Sequence, residues 1–183
     1  MLKLIVCTVA LLVACGEQNP SNLVSISLSA KSSETPGPGL TLEKSIVSEA
    51  GNPYEAFITE AEARLGKETS RIDIERLTLQ LGDESTNVTA LEQVCAGHLS
   101  FELTLEGTND TFVFGEAMDP NGAGPVDVTV THRSFTPQRD DVRNFAALRS
   151  GRFKLVLHAA AAAGFPTQNA DASLVLTFTL AAF

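Results

Sequence analysis

The sequence is poor in positive charge. Its 183 residues include 13 Lys and Arg against 22 Asp and Glu, which gives a formal net charge of -9 at pH 7. Proteins bind a phosphate backbone mainly through cations, so this deficit argues against nucleic acid as a partner. The hydrophobic fraction of 44% excludes a wholly disordered chain. The length corresponds to about one domain, large enough to build a core without disulfide bonds.

Long apolar runs are also scarce. The most hydrophobic segment, Leu4 to Ala14, has eleven residues, whereas a membrane-spanning helix needs about 20. We therefore expect no transmembrane anchor. The cation Lys3 precedes this run and a polar stretch, Gly16 to Pro20, follows it. That order is typical of a signal peptide, which is removed from the mature protein.

The end of the run carries a specific pattern, Leu12-Val13-Ala14-Cys15. It resembles the lipobox of bacterial lipoproteins, in which two apolar residues and a small one precede a modified Cys. The resemblance covers residues 1–15, and we recognise no family for the rest of the chain. In that family the signal peptidase recognises the three residues before the Cys and cuts next to it. The Cys thiol receives a diacylglyceryl group, and the new amino group receives an acyl chain.

The resemblance implies where each part of the chain belongs. Residues 1–14 become the cleaved signal peptide, Cys15 the lipidation site, residues 15–22 a lipidated tether and residues 23–183 the folded domain. Two or three acyl chains form a durable membrane anchor, whereas a single one does not. The implied location is the bacterial cell envelope, and Gly16 after the Cys favours the outer membrane over the inner one. Apart from these covalent lipids we expect no cofactor.

Alternating apolar and polar residues predict strands throughout the domain. In residues 71–81 the alternation slips by one position near Glu75 and Arg76, which predicts a β-bulge. Residues 98–117 contain a turn cluster between two apolar runs and predict a hairpin. The remaining predicted strands cover 24–28, 126–130, 153–157 and 174–180, with Ala159 to Ala163 as a strand end that passes into a loop.

Three short helices are predicted between the strands. The first runs from an Asn52 cap to Gly66, the second uses a Thr89–Glu92 capping box and ends at Gly97, and the third runs from Asp141 to Gly151. In the third helix the spacing places Val142, Phe145 and Leu148 toward the core. Helices this short and infrequent do not fit regular βαβ winding. The sequence therefore predicts a mostly β domain, an antiparallel β-sandwich of about 7–8 strands with two or three short connecting helices, with a small barrel as the alternative.

No sequence motif of a known catalytic site is present. The chain lacks a Gly-x-Ser-x-Gly elbow, a phosphate-binding Gly-rich loop and a dinucleotide-binding glycine pattern. His98, His132 and His158 lie far apart, without the neighbouring ligands of a zinc site. Cys95 is expected to be a buried apolar residue rather than a nucleophile. We therefore expect no catalytic residue and no enzyme, with an unrecognised hydrolase that uses two carboxylates as an alternative.

One loop carries oxygen ligands of the kind that Ca²⁺ prefers. Asp119 and Asn121 lie in the loop 118–125, and Asp127 follows it. The loop departs from the EF-hand pattern, and its Asp-Pro-Asn-Gly sequence is a good turn in its own right. A turn without metal is the main expectation. A lipid-anchored module that binds glycan or Ca²⁺ is the alternative.

Positive charge is concentrated in one segment, residues 132–154. It contains five Arg and one Lys but only two acids, a local charge of +4. Arg is well suited to bidentate contact with carboxylate or phosphate. These side chains are candidates for a rim that binds an acidic envelope partner or a lipid phosphate, and solvated cations paired with nearby acids are the alternative. The rim residues are Arg133, Arg139, Arg143, Arg149 and Arg152.

Together these observations predict a membrane-anchored envelope lipoprotein. Its β-sandwich is expected to have a non-enzymatic binding or structural role, which the sequence does not specify further.

Overall fold

The computed structural model describes residues 21–35, 37–46 and 52–183. Within them, ten strands form two antiparallel sheets, which confirms the predicted antiparallel β-sandwich. Seven of the strands have at least eight residues and three have only two. In chain order the elements are β1 (Ser21–Lys31), β2 (Gly39–Ile46), α1 (Pro53–Leu65), β3 (Ile72–Leu81), β4 (Cys95–Leu105), β5 (Thr111–Met118), β6 (Val126–Asp127), β7 (Thr129–Val130), β8 (Ser134–Phe135), α2 (Pro137–Asp140), α3 (Val142–Arg149), β9 (Phe153–Ala161) and β10 (Asp171–Ala182).

Each of the two sheets has five strands. The first sheet has the order β1-β10-β3, and the short strands β6 and β8 pair with β3. The second sheet has the order β2-β9-β4-β5-β7. Buried side chains from both sheets and from α1 and α3 form a single hydrophobic cluster.

Period-two alternation explains the long strands. On β1, Val24, Ile26 and Leu28 are buried while the serines between them face outward. The predicted bulge in β3 is confirmed, because the register against β10 passes from Thr179↔Arg76 to Leu180↔Ile74. The extra residue restores the buried phase, so that Ile74 and Leu77 both reach the core.

The strands around the predicted hairpin differ in detail from the sequence prediction. β4 begins at Cys95, three residues earlier than expected, and the β4–β5 register shifts after Phe101, which buries both Phe114 and Gly115. A Cβ on Gly115 would lie 2.7 Å from Leu77 Cδ2, so only glycine allows the sheets to approach here. The sequence also did not predict β2.

The predicted strand 126–130 is wrong as a single element. It is divided into β6, which pairs with β3 in the first sheet, and β7, which pairs with β5 in the second. Val128 lies between them, buried, and its N–H donates to the Leu77 carbonyl. Apolar and polar residues still alternate in this segment, because it crosses from one sheet to the other with its apolar residues facing the core.

The first and third predicted helices are present. Asn52 Oδ1 accepts a hydrogen bond from Tyr54 N at 2.9 Å, Pro53 opens α1, and Gly66 ends it with φ +65°. Asp141 caps α3 as expected, but the short helix α2 before it was not predicted.

The second predicted helix is wrong. Only a 3-10 turn, Leu91–Gln93, forms before β4, and Gln93 takes the role assigned to Glu92. The Gln93 Oε1 accepts from Thr89 N and Ala90 N, whereas the Glu92 carboxylate accepts from Gly122 N at 2.7 Å. Strand pairing of Cys95 with Ala161 on β9 prevents the helix from continuing.

The registers define two ends of the sandwich. At one end β1 and β3 begin and β10 ends, with Ser21 opposite Ala181. The second sheet places the ends of β2 and β4 and the start of β9 at the same end. α1, α2 and α3 all connect strands here. We call this the Ser21 end, and the opposite end, where Lys31 lies opposite Asp171, the Lys31 end.

Candidate functional site

The residues predicted for processing and lipidation lie outside the described residues. They are Leu12, Val13, Ala14 and Cys15, together with most of the predicted tether. The described chain begins with β1, so the predicted tether would join the domain at the Ser21 end.

All five predicted rim arginines lie at this same end. Arg133 precedes β8, Arg139 lies in α2, Arg143 and Arg149 lie on α3, and Arg152 lies between α3 and β9. We use the name α2–α3 corner for residues 131–152. The corner is one supersecondary unit, because α2 and α3 contact each other and together join β8 to β9.

The arginines differ in their partners. Arg149 Nη1 lies 2.6 Å from Glu68 Oε2, and this hydrogen bond raises the pKa of Arg149. Arg143 Nε lies 3.4 Å from Asp141 Oδ1, but its side chain is 80% exposed. Arg152 donates to Ser150 Oγ. Arg133 and Arg139 form an ion pair with no carboxylate in the described part of the chain. The charge of Arg149 is thus balanced by nearby Glu68, whereas the other four rim arginines are accessible to solvent.

A half-buried histidine lies beneath these cations. The His132 ring packs against Phe135 and Phe112, with centroid separations of 4.4 and 5.3 Å. Its Nε2 lies 3.1 Å from Asp140 Oδ1, although the two are poorly aligned for a hydrogen bond. Burial lowers the pKa of His132, and nearby Arg139 lowers it further, against the attraction of Asp140. Burial thus favours the neutral imidazole, and the ring packs against the two phenylalanines.

Asp140 fastens the corner to β8. Its side chain is 3% exposed, and its Oδ2 accepts a hydrogen bond from Thr136 N at 2.8 Å. Thr136 Oγ1 in turn accepts from Arg139 N, so the two residues cap α2 reciprocally. A buried carboxylate with these partners fixes the position of α2 rather than forming an open site.

Asp141 joins the two helices in an unusual conformation. Its φ of +69° and ψ of 145° fall in a region that essentially only glycine occupies. Its carboxylate accepts a hydrogen bond from Arg143 N at 2.8 Å, which lowers the pKa of Asp141. The N-cap hydrogen bond thus holds Asp141 in this strained conformation. The chain turns sharply at this residue, between α2 and α3.

Asn144 ties α3 to the β4–β5 turn. The residue is 5% exposed, and its Nδ2 donates to Asp110 Oδ2 at 2.6 Å. Its Oδ1 is buried without a hydrogen-bond partner. The contact brings the turn, with its acids Glu106 and Asp110, to the border of the corner.

The prediction that Val142 faces the core is wrong. Val142 is 68% exposed, whereas Asn144, Phe145, Ala147 and Leu148 form the buried face of α3. Because α3 starts abruptly at the strained Asp141, its first residue projects beyond the core. Leu23, the third residue of β1, is 65% exposed at the same end.

Charge is distributed unequally between the two ends. At the Lys31 end, Lys31 is the one described Lys or Arg, and it is accompanied by Glu34, Asp83, Glu84, Glu92, Asp119 and Asp171. At the Ser21 end most of the described cations are mixed with acids, and α1 carries several of those acids. The excess of positive charge at that end is therefore local to the α2–α3 corner.

Two of the three candidate calcium ligands are engaged elsewhere. Asp119 Oδ1 accepts from Gly97 N at 2.8 Å, and Asp127 Oδ1 accepts from Arg76 Nε and Nη2 at 2.9 and 2.7 Å. Asn121 is exposed in the loop between them. Across the described ranges no group of three His, Cys, Asp or Glu side chains is arranged to hold a metal ion. The loop connects β5 to β6, and its Asp119 pairs with Gly97 near the start of β4.

The remaining candidate residues from the sequence are one cysteine and two histidines, and none of them lies in a site with other candidate residues of the described chain. Cys95 is fully buried, and burial raises the pKa of its thiol to about 11. His98 and His158 lie on the outward phase of their strands, with side chains 51% and 46% exposed.

An internal void lies between the sheets near the Ser21 end. Its volume is about 20 Å³, and its walls are apolar side chains from both sheets, α1 and α3. The hydroxyl of Tyr54, on this wall, is buried and has no hydrogen-bond partner, and burial raises the pKa of Tyr54 strongly. An ordered water needs two to four polar partners, so we expect the void to be dry.

No helix within the described ranges is long and apolar enough to cross a membrane. No protein-family model matches the chain, and no curated protein matches it either.

Proposed function

We propose that this chain is a lipid-anchored protein of the bacterial envelope, with a non-enzymatic β-sandwich that binds or supports another component at the membrane. The observation that carries the proposal is the lipobox Leu12 to Cys15, positioned after Lys3 and an apolar run. The resemblance assigns the anchor to Cys15 and, through Gly16, favours the outer membrane.

The start of β1 supports this arrangement. Only six residue steps separate Cys15 from Ser21, the first residue of β1. Fully extended, they span at most about 20 Å. An acylated Cys15 therefore keeps the Ser21 end close to the bilayer and raises the local concentration of the domain for other membrane residents.

The polar residues singled out by the sequence make structural contacts, and this supports a binding or structural role over an enzymatic one. Asp140 caps α2, Asp119 links the end of β5 to the start of β4, and the His132 ring packs against two phenylalanines. Cys95 is buried, with a thiol whose raised pKa disfavours the thiolate. No feature of the described chain favours the calcium, glycan or hydrolase alternatives.

The intact mass of the protein extracted from membranes tests the anchor. We expect the native chain to begin at Cys15 and to carry a diacylglyceryl group and an acyl chain. Cys15→Ser should lose both additions and be released from membranes by a high-salt, alkaline wash. Cys7→Ser is the matched control, because Cys7 lies in the segment predicted to be removed. A native mature chain without acyl mass, or a Cys15→Ser chain that still sediments after the wash, contradicts the proposal.

A further inference from the structure

We propose that the α2–α3 corner docks on an anionic lipid bilayer. Docking would hold the β-sandwich in one orientation relative to the membrane, instead of leaving it free to rotate about its lipid anchor. This inference rests on the proposed lipid anchor at Cys15. It adds a defined contact surface and a ligand class, the phosphates of anionic lipid headgroups.

The placement of the corner within the fold is the first argument. β8, which directly follows Arg133, belongs to the sheet that β1 opens, and three strand spacings separate β8 from β1. That separation is roughly 15 Å. It is comparable to the greatest length of chain between Cys15 and Ser21. The anchor therefore holds the corner within reach of the headgroups.

The charge of the corner is the second argument. Arg133 and Arg139 are exposed and pair with no described carboxylate, and the Arg143 side chain is 80% exposed. Within the corner, Asp140 is buried and Asp141 is occupied by Arg143. Arg side chains form charge-assisted, bidentate hydrogen bonds with phosphate oxygens. The acidic Lys31 end is repelled by the same surface, so charge favours one orientation.

The third argument is exposed apolar surface at the same end. Exposed Val142 opens α3 directly before Arg143, and exposed Leu23 lies two residues beyond the start of β1. An apolar side chain next to cations, as at Val142, is a pattern by which proteins bind the interfacial layer of a bilayer. Two isolated side chains are too little for a second copy of the chain, because stable protein interfaces bury about 1,200–2,000 Å².

The test uses the full acylated chain reconstituted into vesicles. A polarity-sensitive dye is attached either to Val142→Cys at the corner or to Met118→Cys at the Lys31 end. Met118 is a matched position, since it is an apolar residue 65% exposed in the native protein. Fully buried Cys95 is not expected to label. Quenching by aqueous acrylamide is compared on phosphatidylcholine vesicles and on an equal mixture of phosphatidylcholine and phosphatidylglycerol.

We expect the Val142→Cys dye to be shielded from acrylamide on the mixed vesicles and accessible on phosphatidylcholine alone, with Met118→Cys accessible on both. Adding Arg133→Ser, Arg139→Ser and Arg143→Ser should remove the shielding. Three cations near an anionic surface change the docking equilibrium constant by on the order of 100-fold. The control Lys31→Ser, Arg64→Ser and Arg76→Ser removes the same charge outside the corner and should keep the shielding.

Each of the other possible results contradicts either the docking or the lipid anchor, or assigns the corner to a different partner. Equal quenching of both dyes on both vesicles, with the protein still bound to them, overturns docking but not the anchor. Failure of the extracted chain to associate with any vesicle overturns the proposed anchor itself. Shielding in detergent solution that rises with protein concentration assigns the corner to a second copy of the chain.

Discussion

The Ser21 end and the Lys31 end of the sandwich belong to one hydrophobic core and differ at the surface. At the Ser21 end three helices connect the strand ends, one linker residue is strained, and the five rim arginines and two exposed apolar side chains are present. At the Lys31 end short 3-10 turns and loops carry acids with Lys31 alone as a described cation. The difference indicates that specialised surface features are concentrated where the chain meets its predicted anchor.

The largest expected effect tests whether the two ends are packed alike. Phe57 on α1 is 1% exposed at the Ser21 end, and Phe165 is fully buried at the Lys31 end. Truncating either to Ala removes a large apolar side chain, so each should lower the free energy of unfolding by about 3–5 kcal/mol. Urea denaturation measures this, with exposed Glu60→Ala as the control. A loss below about 1 kcal/mol for Phe57→Ala alone would show that α1 is not part of the cooperative core.

A gain in stability is expected at Tyr54. Its buried hydroxyl has no hydrogen-bond partner, and the adjacent void offers none. Tyr54→Phe keeps the ring contact with Phe153, at 5.0 Å, and removes a desolvated polar group. The free energy of unfolding should rise by about 1–2 kcal/mol, measured by urea denaturation. A loss of stability would mean that the hydroxyl is satisfied by an ordered water, and that the void is wet.

Two substitutions at Asp141 separate the effect of backbone strain on stability from that of helix capping, and the expected changes are smaller. Asp141→Ala removes the cap on α3 and keeps a side chain in the strained conformation, so we expect the melting temperature to fall by about 2–4 °C. Asp141→Gly also loses the cap but relieves the strain, and should stay close to the native value. If the two variants melt at the same temperature, the positive φ carries no strain and the asymmetry between the ends is weaker than described.

The smallest effect concerns pH at His132. The groups that face the ring are Asp140, Arg139, Phe112 and Phe135. Because folding lowers the pKa of His132, the unfolded chain binds the proton more tightly. Stability should therefore be complete above the ordinary His pKa and decline as pH falls below it. Melting curves between pH 7.5 and pH 5.5, a window roughly centred on the model-peptide value of about 6.5, measure the decline. His132→Gln should lessen it, whereas exposed His158→Gln should not.

Much of the fold was predictable from local sequence. The alternation in β1, β4, β9 and β10, the bulge in β3 and both ends of α1 were all read from residues close in the chain. The errors arose where a distant partner decides the outcome. Residues 126–130 are shared between two sheets, and pairing of Cys95 with β9 overrides a helical cap.

The candidate site was predictable only in part. The concentration of Arg in residues 132–154 was visible, and the structure places all five rim arginines in one corner. The contact of His132 with Asp140 was not predicted, because eight residues separate them and the intervening chain forms β8 and α2. The exposure of Val142 was also missed, since its spacing from Phe145 and Leu148 is that of an inward-facing residue. The abrupt start of α3 at Asp141 overrides that spacing.

The position of β10 has a consequence for how the protein is made. β10 lies between β1 and β3, although it follows both in the chain by many residues. A nascent chain that emerges amino end first therefore carries β1 with no neighbour in its sheet until residues 171–182 arrive. Unpaired strand edges are prone to aggregation, and such non-local pairing is slow. β1 consequently joins the first sheet in a late step, after the final strand of that sheet has been delivered.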